Sequence, residues 1–192
     1  MTMNNRSNTI HPVHHAMRRL ALLLLMFTAC GRNPSDQTAS PETSSPPALP
    51  ALEALLGPDL LDQQGQAHPI TELHGKLIGL YFAAQCDPPS CYFTQHLIRF
   101  YEKMKQTHQP FEVILISDDR TAQDMQAHMN ELNMPWLALP KTDGGRQLML
   151  KQRFAVITLP VLVILDGHGE VITTDGRSDV MRAKEKAYEI WR

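Results

Sequence analysis

Apolar residues recur along this chain with two spacings, and the places where one gives way to the other predict its elements. The runs Lys76 to Ala84 and Phe111 to Ile116 are nearly continuous in Leu, Ile, Val, Tyr and Phe, with the length of buried strands. Between them Phe93, Leu97, Phe100, Tyr101 and Met104 fall at i, i+4, i+7, i+8 and i+11, a single apolar stripe along one helix. His96 and Arg99 lie off that stripe and read as solvated helix positions. Thr121 to Leu132 and Arg146 to Phe154 predict two more helices, with Met125 and Met129 one turn apart as a packing pair. Val161 to Leu165, the turn Asp166-Gly167-His168-Gly169 and Glu170 to Thr173 predict a hairpin, and Ser178 to Trp191 a closing helix. Upstream, Ala51 to Leu56 is a short helix stopped by Gly57-Pro58, and Leu60-Leu61 is a strand entering a turn over Gln63 to Gln66.

The order strand, helix, strand, helix, hairpin, helix makes the central strands parallel, because each crossover carries a helix. The hairpin adds antiparallel strands. The expected fold is therefore α/β, a central mixed sheet with helices on both faces, in a thioredoxin-like arrangement.

Composition changes this picture little. A chain of 192 residues with 43% hydrophobic and 20% charged content can bury one good core. The formal net charge of -2, without a long run of Lys or Arg, speaks against a nucleic-acid partner. Three cysteines are too few for a disulfide scaffold, and their odd number gives one of them a separate role.

That separate role falls to the N-terminal quarter. Residues 1 to 16 are a polar leader, in which His11, His14 and His15 lack supporting metal ligands nearby. Met17-Arg18-Arg19 followed by Leu20 to Phe27 forms the charged and apolar regions of a signal peptide, with an apolar run too short for a membrane span of about 20 residues. Either Met1 or Met17 can serve as the start. Phe27-Thr28-Ala29-Cys30 resembles the lipobox of bacterial lipoproteins, which implies lipidation of Cys30 as the mature N-terminus. Gly31 in place of an aspartate implies the outer membrane by the same resemblance. From Gly31 to Pro50 the chain is rich in Ser, Thr, Pro, Asn and Asp, with too little apolar surface to order itself, and reads as a tether. The expected division is residues 1–29 leader and signal peptide, 30–50 lipidated Cys30 and tether, and 51–192 folded domain. A periplasmic, lipid-anchored location follows from it.

Lys76 to Ala84, Phe111 to Arg120, Met134-Pro135-Trp136-Leu137-Ala138-Leu139-Pro140, and Leu165-Asp166 through Gly169-Glu170-Val171-Ile172-Thr173 to Gly176-Arg177 together resemble the nucleoredoxin and tryparedoxin branch of thioredoxin-like proteins. The likeness runs from about Leu52 to Trp191. It implies a thioredoxin fold, exchange with protein or small thiol and disulfide substrates, and no cofactor. It also implies that Pro160 is a cis-proline facing the active-site cysteines, with the Leu159 backbone pairing with an extended substrate. The branch carries Trp-Cys-Pro-Pro-Cys-Arg, whereas this chain has Gln85-Cys86-Asp87-Pro88-Pro89-Ser90-Cys91. Counted without gaps, Cys86 takes the tryptophan position, Asp87 the nucleophilic cysteine, Ser90 the resolving cysteine and Cys91 the arginine.

The prolines thus keep the branch's register and both thiols lie one step outward. Asp87 is a good N-cap and Pro88 a good first helical residue, which places Cys86 at N′ and Cys91 at N4. Those positions meet in a hydrophobic staple, so a disulfide between them requires only that their Cα atoms come within about 7 Å. The Asp87 carboxylate opposes thiolate formation and the helix terminus favours it, each by about 1 kcal/mol. Three readings follow. In the first, Cys86 is the nucleophile and Cys91 the resolving thiol of a thiol–disulfide oxidoreductase, in an oxidising compartment where such exchange is useful. In the second, the cysteines form a structural disulfide in a binding module that uses the groove beside Pro160. In the third, Cys86 and Cys91 with His96 or His168 deliver a soft metal such as copper.

Overall fold

Nine residues at the start of the described chain form α1 (Ala48–Leu56), which stops where Gly57 takes φ +87° and donates its N–H to the Glu53 carbonyl at 2.7 Å. The structure, a computed structural model, describes residues 48–85, 88–142 and 144–192. Cys30, Cys86, Asp87, His11, His14, His15 and the signal and tether segments up to residue 47 lie outside the described residues. After α1 come β1 (Asp59–Leu61), β2 (Ala67–Pro69), a 3-10 turn (Ile70–Leu73), β3 (Leu77–Ala83), α2 (Pro88–Gln106), β4 (Phe111–Ser117), α3 (Ala122–Glu131) and β5 (Leu137–Ala138). The chain continues through α4 (Gly144–Arg153), β6 (Val161–Leu165), β7 (Val171–Thr173), α5 (Gly176–Ala183), a second 3-10 turn (Lys184–Lys186) and α6 (Ala187–Trp191).

The seven strands form one sheet in the order β2-β1-β5-β4-β3-β6-β7. The pairs β3–β4 and β4–β5 are parallel, and the remaining pairs are antiparallel. The mixed sheet is the expected one. Because β3, β4 and β6 are central, both of their faces are covered, and this explains why their sequences are continuous apolar runs with no polar alternation. On one face Tyr81, Phe111, Val113, Leu115, Leu162 and Ile164 pack with α2, α3, α5 and α6. On the other Ile78, Leu80, Phe82, Ile114, Ile116 and Val163 pack with α1, α4 and the first 3-10 turn.

The predicted helical stripe is buried at all five positions, Phe93, Leu97, Phe100, Tyr101 and Met104. Met125 and Met129 are fully buried in the same core, which assigns them to packing. Three features differ from the pattern reading. The strands β2 and β5, of three and two residues, are too short to show a period. The closing helix is broken into α5 and α6, because Lys184 takes φ +51° and cannot continue a right-handed helix. The second hairpin strand is trimmed to β7, with a register irregularity between Ile164 and Leu165.

Candidate functional site

Strand β3 delivers the chain to the lip of the sheet beside its parallel neighbour, with Ala83 in register with Ser117 and the Ala83 carbonyl accepting the Asp118 N–H at 2.8 Å. Helix α2 then starts at Pro88, whose fixed φ and missing N–H suit a first helical position. Successive residues on a helix differ by about 100°, so Ser90 and Cys91 cannot share an environment. Ser90 is fully buried, and Cys91 is half-buried. The Ser90 carbonyl accepts from Thr94 Oγ1 at 2.8 Å and from the Tyr81 hydroxyl at 3.2 Å, and those two hydroxyls are 2.8 Å apart. This closed triangle ties the first turn of α2 to the middle of β3.

Gln85, the last described residue before the motif, is held at three points. Its N–H donates to Asp119 Oδ1 at 2.8 Å, its side-chain amide donates to Glu131 Oε2 at 2.9 Å, and its carbonyl accepts from Cys91 Sγ at 3.5 Å. Asp119 is itself buried at the end of β4. Its Oδ2 accepts from Ser117 Oγ at 2.8 Å and lies 3.1 Å from Nδ1 of the fully buried His128. Burial works to raise the Asp119 pKa, but the hydrogen bonds from His128, Gln85 and Ser117 and the His128 charge outweigh it, leaving the carboxyl below the usual range. Lys141 Nζ caps the arrangement by donating to the carbonyls of Ser117 and Asp119.

The Leu159–Pro160 peptide bond is cis. Pro160 lines an open groove of about 390 Å³ together with Thr158, Val161, Asp175, Arg177 and Ser178. Arg177 is exposed, and its guanidinium lies 5.9 Å from the ring centroid of Phe93, two residues beyond Cys91, so the groove borders the first turns of α2. Gly176 lets α5 approach that closely. A Cβ there would come within 2.9 Å of the Leu162 carbonyl oxygen and of Ile164 Cγ1. Ile157 and Tyr92 stand exposed on the loop before Pro160 and beside Cys91.

Neither histidine of the metal reading joins Cys91. His168 lies at the opposite end of the sheet, in a cleft with Gly75 and Lys76 at the start of β3, about 20 Å from its far end by strand rise. His96 is five positions past Cys91, about 140° around α2, and packs edge-on to Tyr92 at 4.8 Å. Among the described residues no three His, Cys, Asp or Glu side chains group as metal ligands. Nor is any described helix long and apolar enough to cross a membrane.

Sequence reasoning placed Gln85 in the motif without giving it a role, and gave none to Asp119, His128 or Arg177. The sequence does carry one signal, Ser117-Asp118-Asp119 directly after the apolar run of β4, which puts carboxylates at the end of a buried strand but does not say what they hold.

A parallel β-α-β unit followed by an antiparallel hairpin, with a cis-proline entering β6, defines a protein of the thioredoxin fold. The chain belongs to the thioredoxin-like family, whose sequence pattern matches residues 75–171. It is 38% identical to mouse (Mus musculus) nucleoredoxin over 136 residues, which cover 71% of this chain and 31% of that protein. The chain thus spans about a third of the nucleoredoxins it matches. Tryparedoxin from Trypanosoma brucei superposes with a TM-score of 0.67 and 33% identity, covering 73% of this chain and 97% of that one. A tryparedoxin II complexed with glutathionylspermidine superposes with a TM-score of 0.61 and 37% identity, covering 67% and 88%.

Proposed function

We propose that this protein is a thiol–disulfide oxidoreductase of the cell envelope that uses Cys86 and Cys91. The observation that carries the reading is the placement of Cys91. It is half-buried in the first turn of α2, with its Sγ 3.5 Å from the carbonyl of Gln85, the residue that precedes Cys86 in the sequence, in a fold whose relatives are nucleoredoxins and tryparedoxins. In the reaction, the Cys86 thiolate attacks one sulfur of a substrate disulfide, forming a mixed disulfide and releasing one substrate thiolate. Cys91, deprotonated, then attacks the Cys86 sulfur, releasing the second substrate thiol and leaving a Cys86–Cys91 disulfide that an external dithiol must reduce. Leu159 and Pro160 supply the backbone wall for an extended substrate. Arg177 at the same groove suits a carboxylate-bearing one, and the related tryparedoxin II complexed with glutathionylspermidine supports a peptide-like disulfide as substrate.

The test is turnover of insulin or a small peptide disulfide by the reduced protein. Cys86→Ser is expected to bring the rate to background, and Cys91→Ser to trap the mixed disulfide. A wild-type protein no faster than the double serine variant would sink the reading.

A second reading is favoured by one observation, the fully buried Ser90 at the position where the branch has its resolving cysteine. It makes the domain a binding module with a structural Cys86–Cys91 disulfide, and predicts that the double serine variant keeps its cellular role. The envelope location rests on the resemblance of residues 27–30 to a lipobox. Cys30→Ala is expected to move the protein from the membrane fraction to the soluble one, and an unchanged distribution would count against the anchor.

A further inference from the structure

Two groups in the region have no part in the exchange chemistry: the buried Asp119 carboxylate and the buried His128 imidazole. Their link to the site runs through Gln85. We propose that Asp119 and His128 are positioning residues that hold Gln85 so that its carbonyl receives the Cys91 thiol, keeping that sulfur protonated and slow to react.

The chain of contacts is continuous. His128 Nδ1 lies 3.1 Å from Asp119 Oδ2, Asp119 Oδ1 accepts the Gln85 N–H at 2.8 Å, and Cys91 Sγ donates to the Gln85 carbonyl at 3.5 Å. A carbonyl oxygen can accept from a thiol and can only repel a thiolate, so a fixed Gln85 carbonyl favours the protonated sulfur. Fixing it is what the rest of the network does. Asp119 cannot swing away, because Ser117 Oγ donates to its Oδ2 at 2.8 Å and to no other described partner, and because its own N–H donates back to Ser117 Oγ at 3.1 Å. His128 Nε2 is buried without a hydrogen-bond partner among the described residues, so the imidazole's one polar anchor is Asp119. A fully buried histidine with a single anchor on the residue that holds the Gln85 N–H is an expensive arrangement for packing alone. The inference bears on the resolving thiol of the proposed exchange, yet it concerns only the reactivity of Cys91.

The experiment uses the full-length chain carrying Cys30→Ser and Cys86→Ser, in which Cys91 is the last of the three cysteines. Its rate of alkylation by iodoacetamide at neutral pH is compared with and without a further change at Asp119. Asp119→Ala, which releases the Gln85 N–H while its side-chain amide stays on Glu131, is expected to speed alkylation about two- to tenfold, the equivalent of one lost hydrogen bond. Asp119→Asn keeps an oxygen for the Gln85 N–H and is expected to stay within about twofold of the parent. An unchanged rate in a folded Asp119→Ala protein would overturn the proposal. So would Asp119→Asn matching Asp119→Ala, which would assign the effect to the carboxylate charge. Should Asp119→Ala not fold, the S–H stretching band of the parent protein decides: a hydrogen-bonded frequency is expected, and a free thiol frequency overturns it. None of these readouts needs disulfide turnover, so an inactive oxidoreductase and an absent clamp give different results.

Discussion

Replacing Trp136 with alanine is expected to destabilise the domain by about 4 kcal/mol, a large share of the stability of a protein this size. Trp136 is 2% exposed and stands between two tyrosines, edge-on to Tyr81 at 6.1 Å and to Tyr101 at 5.7 Å. Through Tyr81 it supports the hydroxyl triangle that fixes the first turn of α2, so the damage reaches the motif as well as the core. Its indole Nε1 has no hydrogen-bond partner among the described residues. Trp136→Phe removes that buried donor and keeps most of the ring, and should therefore cost far less, about 1–2 kcal/mol. Denaturant unfolding followed by circular dichroism measures both. A loss below about 1 kcal/mol for the alanine variant would show that the site collapses around the cavity, contrary to this expectation.

The second large effect is expected at Glu112. This carboxylate is 5% exposed and accepts from the Tyr101 hydroxyl at 2.6 Å, Lys105 Nζ at 3.0 Å, Lys76 Nζ at 3.4 Å and the Val113 N–H at 3.3 Å. Glu112→Ala leaves those donors behind, two of them cationic. The lysines are only partly buried and can turn to water, so the loss should sit near the lower end for a broken buried pair, about 3 kcal/mol. The Tyr101 phenol provides an independent readout. Burial, then the Glu112 charge and hydrogen bond, hold its pKa above the ordinary value. In Glu112→Gln the charge is gone while burial stays, so tyrosinate absorbance should show one phenol titrating lower than in the parent, still above an exposed tyrosine. An unchanged titration would mean that Glu112 does not govern that hydroxyl.

What could be read from the sequence was whatever repeats within one element. The strands β3, β4 and β6 and the stripe on α2 are long enough to display their spacing, and each lies where that spacing predicts. The strands β2 and β5 are defined by their partners, not by their own residues, and no local pattern marks Lys184 as the place where the last helix breaks. The same division runs through the site. Pro88 announces the start of α2 by its own chemistry. The burial of Ser90, by contrast, depends on which face of α2 meets β3. Asp119 and Gln85 are 34 positions apart and Asp119 and His128 sit on different elements, so only the placement of β4 and α3 against the end of β3 brings them together.

The hydrogen atom that Gly176 carries in place of a methyl group acts as a gauge for the groove beside Pro160. Its two neighbours, Asp175 and Arg177, both line that groove, while Gly176 itself rests against β6 with no room for another carbon. The distance between the charged rim and the Pro160 wall is thus set where the α5 backbone meets the Leu162 carbonyl and the buried Ile164 side chain of β6. The width of the groove is accordingly a property of the scaffold, and any residue larger than glycine at 176 would reset it.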